Sequence, residues 1–294
     1  MRILLLCLFS LLAACQSHHA AAPPAPIAPQ GRDHADFGVI RELATGRALT
    51  PQELVEHLAG APRVLVGEQH DNPDHHALQL WLLRELAAQR PQGSLLMEML
   101  NPDQQARVDA AQAASRAGQP PADPYQALAW QANWDWGVYG AVVNYALRQP
   151  YPLLAANLDR SQILQIYQQR PTLSGEASTT PQVQATLLDD IRGSHCGLLP
   201  EALLPAMLAV QQQRDRRMAE RLLAAPTPAL LLAGAFHVRK DLGVPLHLKD
   251  LGAAQSNVVL VLAEAGKTVS AENADYVWYT AAQPEQDHCA PLRQ

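Results

Sequence analysis

Arg63-Val64-Leu65-Val66-Gly67-Glu68-Gln69-His70-Asp71-Asn72-Pro73-Asp74-His75-His76 joins a short apolar run to a dense set of ionisable side chains. The apolar part has the length and composition of a buried parallel strand, and it stops at a glycine. Ser94-Leu95-Leu96-Met97 before Glu98, and residues 229–233 before Gly234, have the same form. Residues 151–156 before Asn157 and residues 257–263 read as further strands. Between the first two runs, residues 74–90 carry Leu78, Leu80, Trp81, Leu82, Leu83 and Leu86, with acids and bases at the other positions. That is the pattern of a helix of crossover length. Strand, helix, strand alternation predicts an α/β fold, a three-layer α/β/α sandwich with a mostly parallel central sheet and right-handed crossovers. Residues 103–148 are rich in Ala and Gln, with Pro120-Pro121 and the cluster Trp130, Trp134, Trp136, Tyr139. Residues 181–224 carry helical patterns around His195-Cys196-Gly197. Both read as helical insertions.

In open α/β sheets ligands bind beyond the carboxyl ends of the strands, so polar residues ending three apolar runs mark a candidate site. Glu68 and His70 alternate and share a face if the strand continues, where one can orient the other. Gly67 to His70 and Gly234 to His237 are a repeated Gly-x-x-His element that aims two histidines at one crevice, and Glu98 ends a third strand at the same edge. Such a set can act as acid and base, or Glu68, His70 and His237 can hold a divalent metal with a position open for water. Asp74 and the histidines after it have a competing reading, as caps of the following helix. Arg214, Arg217 and Arg221 repeat at helical spacing. Arg214 can pair with a crevice carboxylate, whereas Arg217 and Arg221 equally suit a solvated face.

The first residues have the form of a secretory signal, with Arg2, a short apolar run from Ile3 to Leu12, and small residues up to Cys15. Leu12-Ala13-Ala14-Cys15 resembles a lipobox, which implies cleavage after residue 14 and acylation of Cys15. The run is well short of the roughly 20 residues needed to span a bilayer, so the expected chain is anchored to a membrane and does not cross it. Gln16 and Ser17 lack the aspartate that resembles an inner-membrane retention signal, so the expected location is the outer membrane, facing the periplasm. Residues 15–36, rich in Ala, Pro, Ser and His, read as the lipidated cysteine and a flexible tether, and residues 37–294 as one domain. His18 and His19 read as part of that solvated linker. Cys7 leaves with the signal and Cys15 carries lipid, so Cys196 and Cys289 remain for a disulfide in an oxidising compartment. With 48% hydrophobic and 17% charged residues the chain can bury a large core, and the net charge of −6 offers no basic patch for nucleic acid.

Gly67-Glu68-x-His70-Asp71-Asn72-Pro73-x-His75-His76, the Met97-Glu98-Met99 strand end, Arg214-Asp215-x-x-Met218-Ala219 and Gly234-Ala235-Phe236-His237-Val238-Arg239 together resemble the ChaN-like haem-binding lipoproteins. That likeness covers nearly the whole mature chain, and the family sits in a superfamily with Tiki-type peptidases, TraB proteins and erythromycin esterases. The resemblance implies a haem-binding protein of haem-iron uptake or storage. It further implies iron held by tyrosine and histidine, a dimer interface, and an outer-membrane haem receptor as partner. Tyr139 is the iron-ligand candidate from its aromatic setting. His195, His75 and His76 are candidates for axial or propionate contacts, and Arg214 for a bidentate propionate contact. The superfamily supplies the alternative, a hydrolase acting on esters or peptides through Glu68, His70, Glu98 and His237. The chain carries no helical His-Glu-x-x-His.

Overall fold

The computed structural model describes residues 20–253, 255, 257–287 and 289–290; the signal sequence, Cys15, His18 and His19 lie outside them. Eight strands form one sheet: β1 (Ile40–Glu42), β2 (Ala48–Leu49), β3 (Arg63–Glu68), β4 (Ser94–Met97), β5 (Leu153–Ala155), β6 (Ala229–Gly234), β7 (Val258–Glu264) and β8 (Tyr276–Thr280). Their order is β2-β1-β8-β7-β3-β6-β4-β5. From β8 to β5 every pairing is parallel, and the β1–β2 hairpin adds antiparallel to β8 at one edge.

The helices are α1 (Pro51–Ala59), α2 (Pro73–Gln89), α3 (Gln105–Arg116), α4 (Pro124–Ala127), α5 (Trp136–Ala146), α6 (Arg160–Gln169), α7 (Pro181–Ser194), α8 (Leu204–Ala224), α9 (Ala235–Val238) and α10 (Val244–Asp250). Side-chain alternation along the strands splits the core in two. Val64 and Val66 pack with Leu82 and Leu86 of α2 and Val142 and Val143 of α5. Leu65 points to the other face, among Met218 and Leu222 of α8 and Val244 and Leu248 of α10. This is the three-layer α/β/α arrangement expected from the alternation of elements.

Helix α2 starts where it does because Asn72 accepts the Asp74 amide and Pro73 supplies a preset φ at the first helical position. It covers the sheet with Leu78, Trp81, Leu82 and Leu86, each nearly fully buried and each stabilising by about 1.5–3 kcal/mol relative to exposure. Placing a charge at Leu82 would break that face. The excursion between β4 and β5 is helical as expected, as is the one between β5 and β6. The disulfide Cys196–Cys289 closes across 93 residues, with Cα atoms 5.6 Å apart.

One expectation is corrected. From Ala20 onward the Pro-rich segment taken for a free tether lies against the domain. Asp74 accepts the Ile27 and Ala28 amides at 2.5 and 3.1 Å, Trp81 Nε1 donates to the Ala21 carbonyl at 3.0 Å, and Gln30 bridges to Ala282. Composition counts only the apolar surface a segment owns. These residues dock through the backbone groups that proline leaves available and by covering α2.

Candidate functional site

Strands β3 and β6 are neighbours in register, with Glu68 level with Gly234, yet the chain leaves them in opposite directions. From β3 it turns into α2 on one face, and from β6 into α9 on the other. A parallel sheet opens a crevice at such a switch point, and the three strand-end elements of the sequence meet there. Close packing makes both glycines necessary. A Cβ on Gly67 would collide with Val238, and one on Gly234 would lie 2.8 Å from His70 Nε2. The bare Gly234 backbone therefore leaves room beside that nitrogen.

Glu68 is 2% exposed, and both of its oxygens are fully engaged. Oε1 accepts the Tyr139 hydroxyl at 2.5 Å and His70 Nδ1 at 3.0 Å. Oε2 accepts Gln79 Nε2 at 2.5 Å and His76 Nδ1 at 3.1 Å. Burial alone would raise the Glu68 pKa, but the hydrogen bonds and charges of His70 and His76 overcome it and hold the carboxyl ionised well below the usual range. His70 and His76 are shifted upward for the reciprocal reason, again against the desolvation cost. His76 is buried and its second nitrogen contacts the His70 carbonyl at 2.9 Å. The His70 side chain is 42% exposed. Trp134 packs edge-on against its ring, at a centroid distance of 4.9 Å.

The second array runs through His237, which is bracketed by two acids. Its Nδ1 lies 2.5 Å from Asp215 Oδ1 on α8 and its Nε2 lies 3.2 Å from Glu98 Oε1. Glu98 Oε2 takes the Gly234 amide at 2.8 Å. Burial opposes the charge on His237, but Glu98 and Asp215 outweigh it and push the pKa up to about 10. The Glu98 carboxyl, also against burial, is held down to about 2. His237 is an imidazolium at neutral pH, with both nitrogens donating.

Glu68, Gln69, His70, Gly234, Ala235, Phe236 and His237 line one side of a cleft of about 400 Å³; Leu187, Asp190, Ile191 and Ser194 of α7 and Gln211 of α8 line the other. Gln211 Nε2 is 3.3 Å from His237 Nδ1. Phe236 stands 58% exposed on the lip. Asp190 Oδ2 is buried and has no hydrogen-bond partner among the described residues. Burial pushes the Asp190 pKa up, with Arg239 opposing the shift.

The structure thus brings Glu68, His70, Glu98 and His237 together, as their strand-end positions imply. As a metal set, Glu68, His70 and His237 fail, because both oxygens of Glu68 and both nitrogens of His237 are committed to protein partners. Among the described residues no group of three or more His, Cys, Asp or Glu side chains is placed to hold a metal ion. Tyr139 is corrected as well: it is 1% exposed, and burial beside Glu68 drives its pKa far above the ordinary value, so it is a protonated donor inside the core. His75 is also a core residue, accepting the Gln69 amide at Nδ1 and contacting Thr280 Oγ1 through Nε2; burial holds it neutral, with a pKa of about 3. Both it and His76 lack an open face for a ligand. His195 caps α7 with Nδ1 on the Ile191 carbonyl and does not line the cleft. Arg214 is one residue before Asp215 but does not line the cleft either, and its Nε has no hydrogen-bond partner among the described residues.

Sequence reasoning gave no role at the site to Gln79, Asp190, Gln211, Asp215 or Phe236, although the last two stand in its motifs. Asp215 had a signal, as an acid embedded in a run of arginines, and so did Phe236, a bulky apolar residue between the glycine and histidine of a polar motif. Gln79, Asp190 and Gln211 look like ordinary helix-surface residues in one dimension.

A family profile described as "Haem-binding uptake, Tiki superfamily, ChaN" matches residues 54–248. Among solved structures, the chain is similar to ChaN of Campylobacter jejuni, which binds haem cofacially. The TM-score is 0.75 at 31% identity, over 83% of this chain and 97% of that one. An erythromycin esterase mutant in its open conformation aligns with a TM-score of 0.47 and 12% identity, over 86% of each chain, and nothing below rests on it. Among curated protein sequences none matches significantly.

Proposed function

We propose, because this chain belongs to the ChaN family of the Tiki superfamily, that it binds haem and takes part in haem-iron uptake or storage. The observation that carries this reading at the level of residues is the state of His70. Its Nδ1 faces Glu68, its Nε2 lies beside the bare Gly234 backbone, and its side chain lines the cleft. A carboxylate behind Nδ1 fixes the tautomer and raises the basicity of Nε2, the arrangement that favours a metal-ligating imidazole. Leu187, Ile191, Ala235 and Phe236 supply apolar surface for a flat macrocycle. When bound, haem would supply the iron and its redox chemistry. The chain's own residues orient the imidazole, hold its proton on Nδ1 and shield one face from water. His70 takes the role that the sequence suggested for Tyr139.

The anchoring belongs to the same proposal. Lipidation at Cys15 would hold the domain to the outer membrane on its periplasmic side, within reach of a haem receptor, and a homodimer would suit the cofacial binding described for the Campylobacter relative. Titrating haem into the mature domain and following absorbance tests the reading, with mass measurement of the same sample. A Soret band saturating at about one haem per chain is expected; no band at any concentration would overturn it.

A second reading, a hydrolase, is favoured by one observation. Glu68–His70 and Glu98–His237–Asp215 form two carboxylate–imidazole arrays on one rim, an acid–base geometry with Gln211 beside it. Turnover of an ester or peptide panel that disappears in His70→Ala would support it, and inactivity of the wild type across the panel would exclude it.

A further inference from the structure

The Pro-rich strap from Ala21 to Ala28 lies along one stripe of α2 and runs against the direction of the helix. Ile27 and Ala28 give their amides to Asp74 in the first turn, Pro23 and Pro26 stand with Leu78 around one hollow, and Ala21 meets Trp81 and Glu85. Asp74, Leu78, Trp81 and Glu85 follow one another at spacings of four, three and four, which is a single helix face. From Asp74 to Glu85 that face rises about 16 Å. The strap covers about 22 Å at polyproline pitch, enough to follow it in an extended form. Helix α2 starts beyond the end of β3 and finishes before Ser94 begins β4. The strap therefore leads the chain from the crevice end of the sheet, at Ala28, toward the end where the parallel strands begin, at Ala21.

That second end is cationic. The Arg84 guanidinium sits 5.7 Å from the centre of the Tyr145 ring of α5, Arg148 follows α5, and the Arg90 guanidinium has no hydrogen-bond partner among the described residues. Arg84 and Arg148 are exposed, and neither forms an ion pair among the described residues. Glu85, the acid beside Arg84, is buried and accepts the Ala21 amide.

We infer that the domain stands on an anionic phospholipid surface with the end where its parallel strands begin, held upright by the docked strap, and turns the His70 crevice away from the membrane. This rests on the reading of Cys15 as lipidated. Only five residue steps separate Cys15 from Ala20, at most about 18 Å fully extended, and the headgroup layer takes up about 5–8 Å of that. A tether free as far as residue 36 would reach about 70 Å and impose no orientation. Arginines this close to anionic headgroups are attracted to them.

The test uses the lipidated chain, with Cys196–Cys289 kept oxidised, in vesicles of phosphatidylethanolamine and phosphatidylglycerol that carry a quencher on the lipid headgroup. A fluorophore is attached at Ala88→Cys, in the last turn of α2, or at Lys267→Cys, beyond the end of β7; both positions are exposed. Quenching at 88 should exceed that at 267 at least fivefold. Asp74→Ala, which removes the acceptor of the Ile27 and Ala28 amides, should bring the two within twofold. Arg84→Glu combined with Arg148→Glu should at least halve the ratio without loosening the strap. Equal quenching at the two positions in the wild type, stronger quenching at 267, or a ratio unchanged in the folded Asp74→Ala chain would overturn the orientation while leaving the anchor intact. A chain that does not float with the vesicles would overturn the lipidation of Cys15 and this inference with it.

Discussion

Replacing Tyr139 by Phe separates the structural account of that residue from the one its aromatic setting suggests. The ring is fully buried and packs against Trp130, Trp134 and His76, contacts that phenylalanine keeps. What is lost is a hydroxyl donating to Glu68 at 2.5 Å, with His70 Nδ1 3.0 Å from the same oxygen. A hydrogen bond to a buried charge contributes about 1.5–3 kcal/mol, and since Glu68 keeps His70, His76 and Gln79, a cost near 2 kcal/mol follows. For a domain of this size each kcal/mol moves Tm by roughly 2–4 °C, so Tyr139→Phe should melt about 4–8 °C lower. Haem affinity, measured by Soret titration, should stay within about threefold, because the phenol is a protonated donor behind His70 and does not face the cleft. A variant that melts like wild type but has lost its Soret band would refute this reasoning and return the iron to Tyr139.

The remaining predictions concern the imidazoles and the disulfide. Haem ligation needs a neutral His70 Nε2, and the His70 pKa lies above its ordinary value, so affinity should rise with pH through that raised pKa; a flat titration curve from pH 5 to 9 would contradict it. His237 is raised from 6.5 to about 10, so its contribution to stability is complete below pH 6.5 and is lost as pH climbs toward 10. Asp215→Asn, which removes one of its two acids, should cost about 2–4 kcal/mol at pH 6 and flatten the alkaline fall in urea unfolding curves. Cys289→Ser should destabilise the chain by up to about 4–5 kcal/mol through the 93-residue loop it opens, and reductant should lower the wild type to the same level; no change in urea midpoint would remove the disulfide from the account.

The parallel heart of the fold was legible because β3, β4, β6 and β7 are buried on both faces and so are continuous apolar runs. The hairpin of β1 and β2 was not, since two- and three-residue strands leave too little pattern to read. Strand β8 was overlooked although Tyr-Val-Trp-Tyr-Thr carries strong β propensity. At the site, Glu68 and Glu98 were legible at the sheet edge because a polar residue stopping an apolar strand projects there, and His237 follows three residues after the end of β6, in α9. Distinguishing His70 from His75 and His76 required three dimensions. All three lie within seven residues, but the turn into α2 buries the last two and leaves His70 open. Tyr139 misled for a related reason, since an aromatic cluster looks the same in sequence whether it faces a ligand or closes the core over a carboxylate.

The central claim is that His70 presents Nε2 to haem iron at the β3–β6 crevice, and chemical rescue tests it most directly. His70→Gly deletes the imidazole without adding a competing group, and exogenous imidazole can fill the space. The account predicts that the ferric haem spectrum of wild type is lost in His70→Gly and returns when millimolar imidazole is added. A His70→Gly spectrum identical to wild type before any imidazole is present would contradict it.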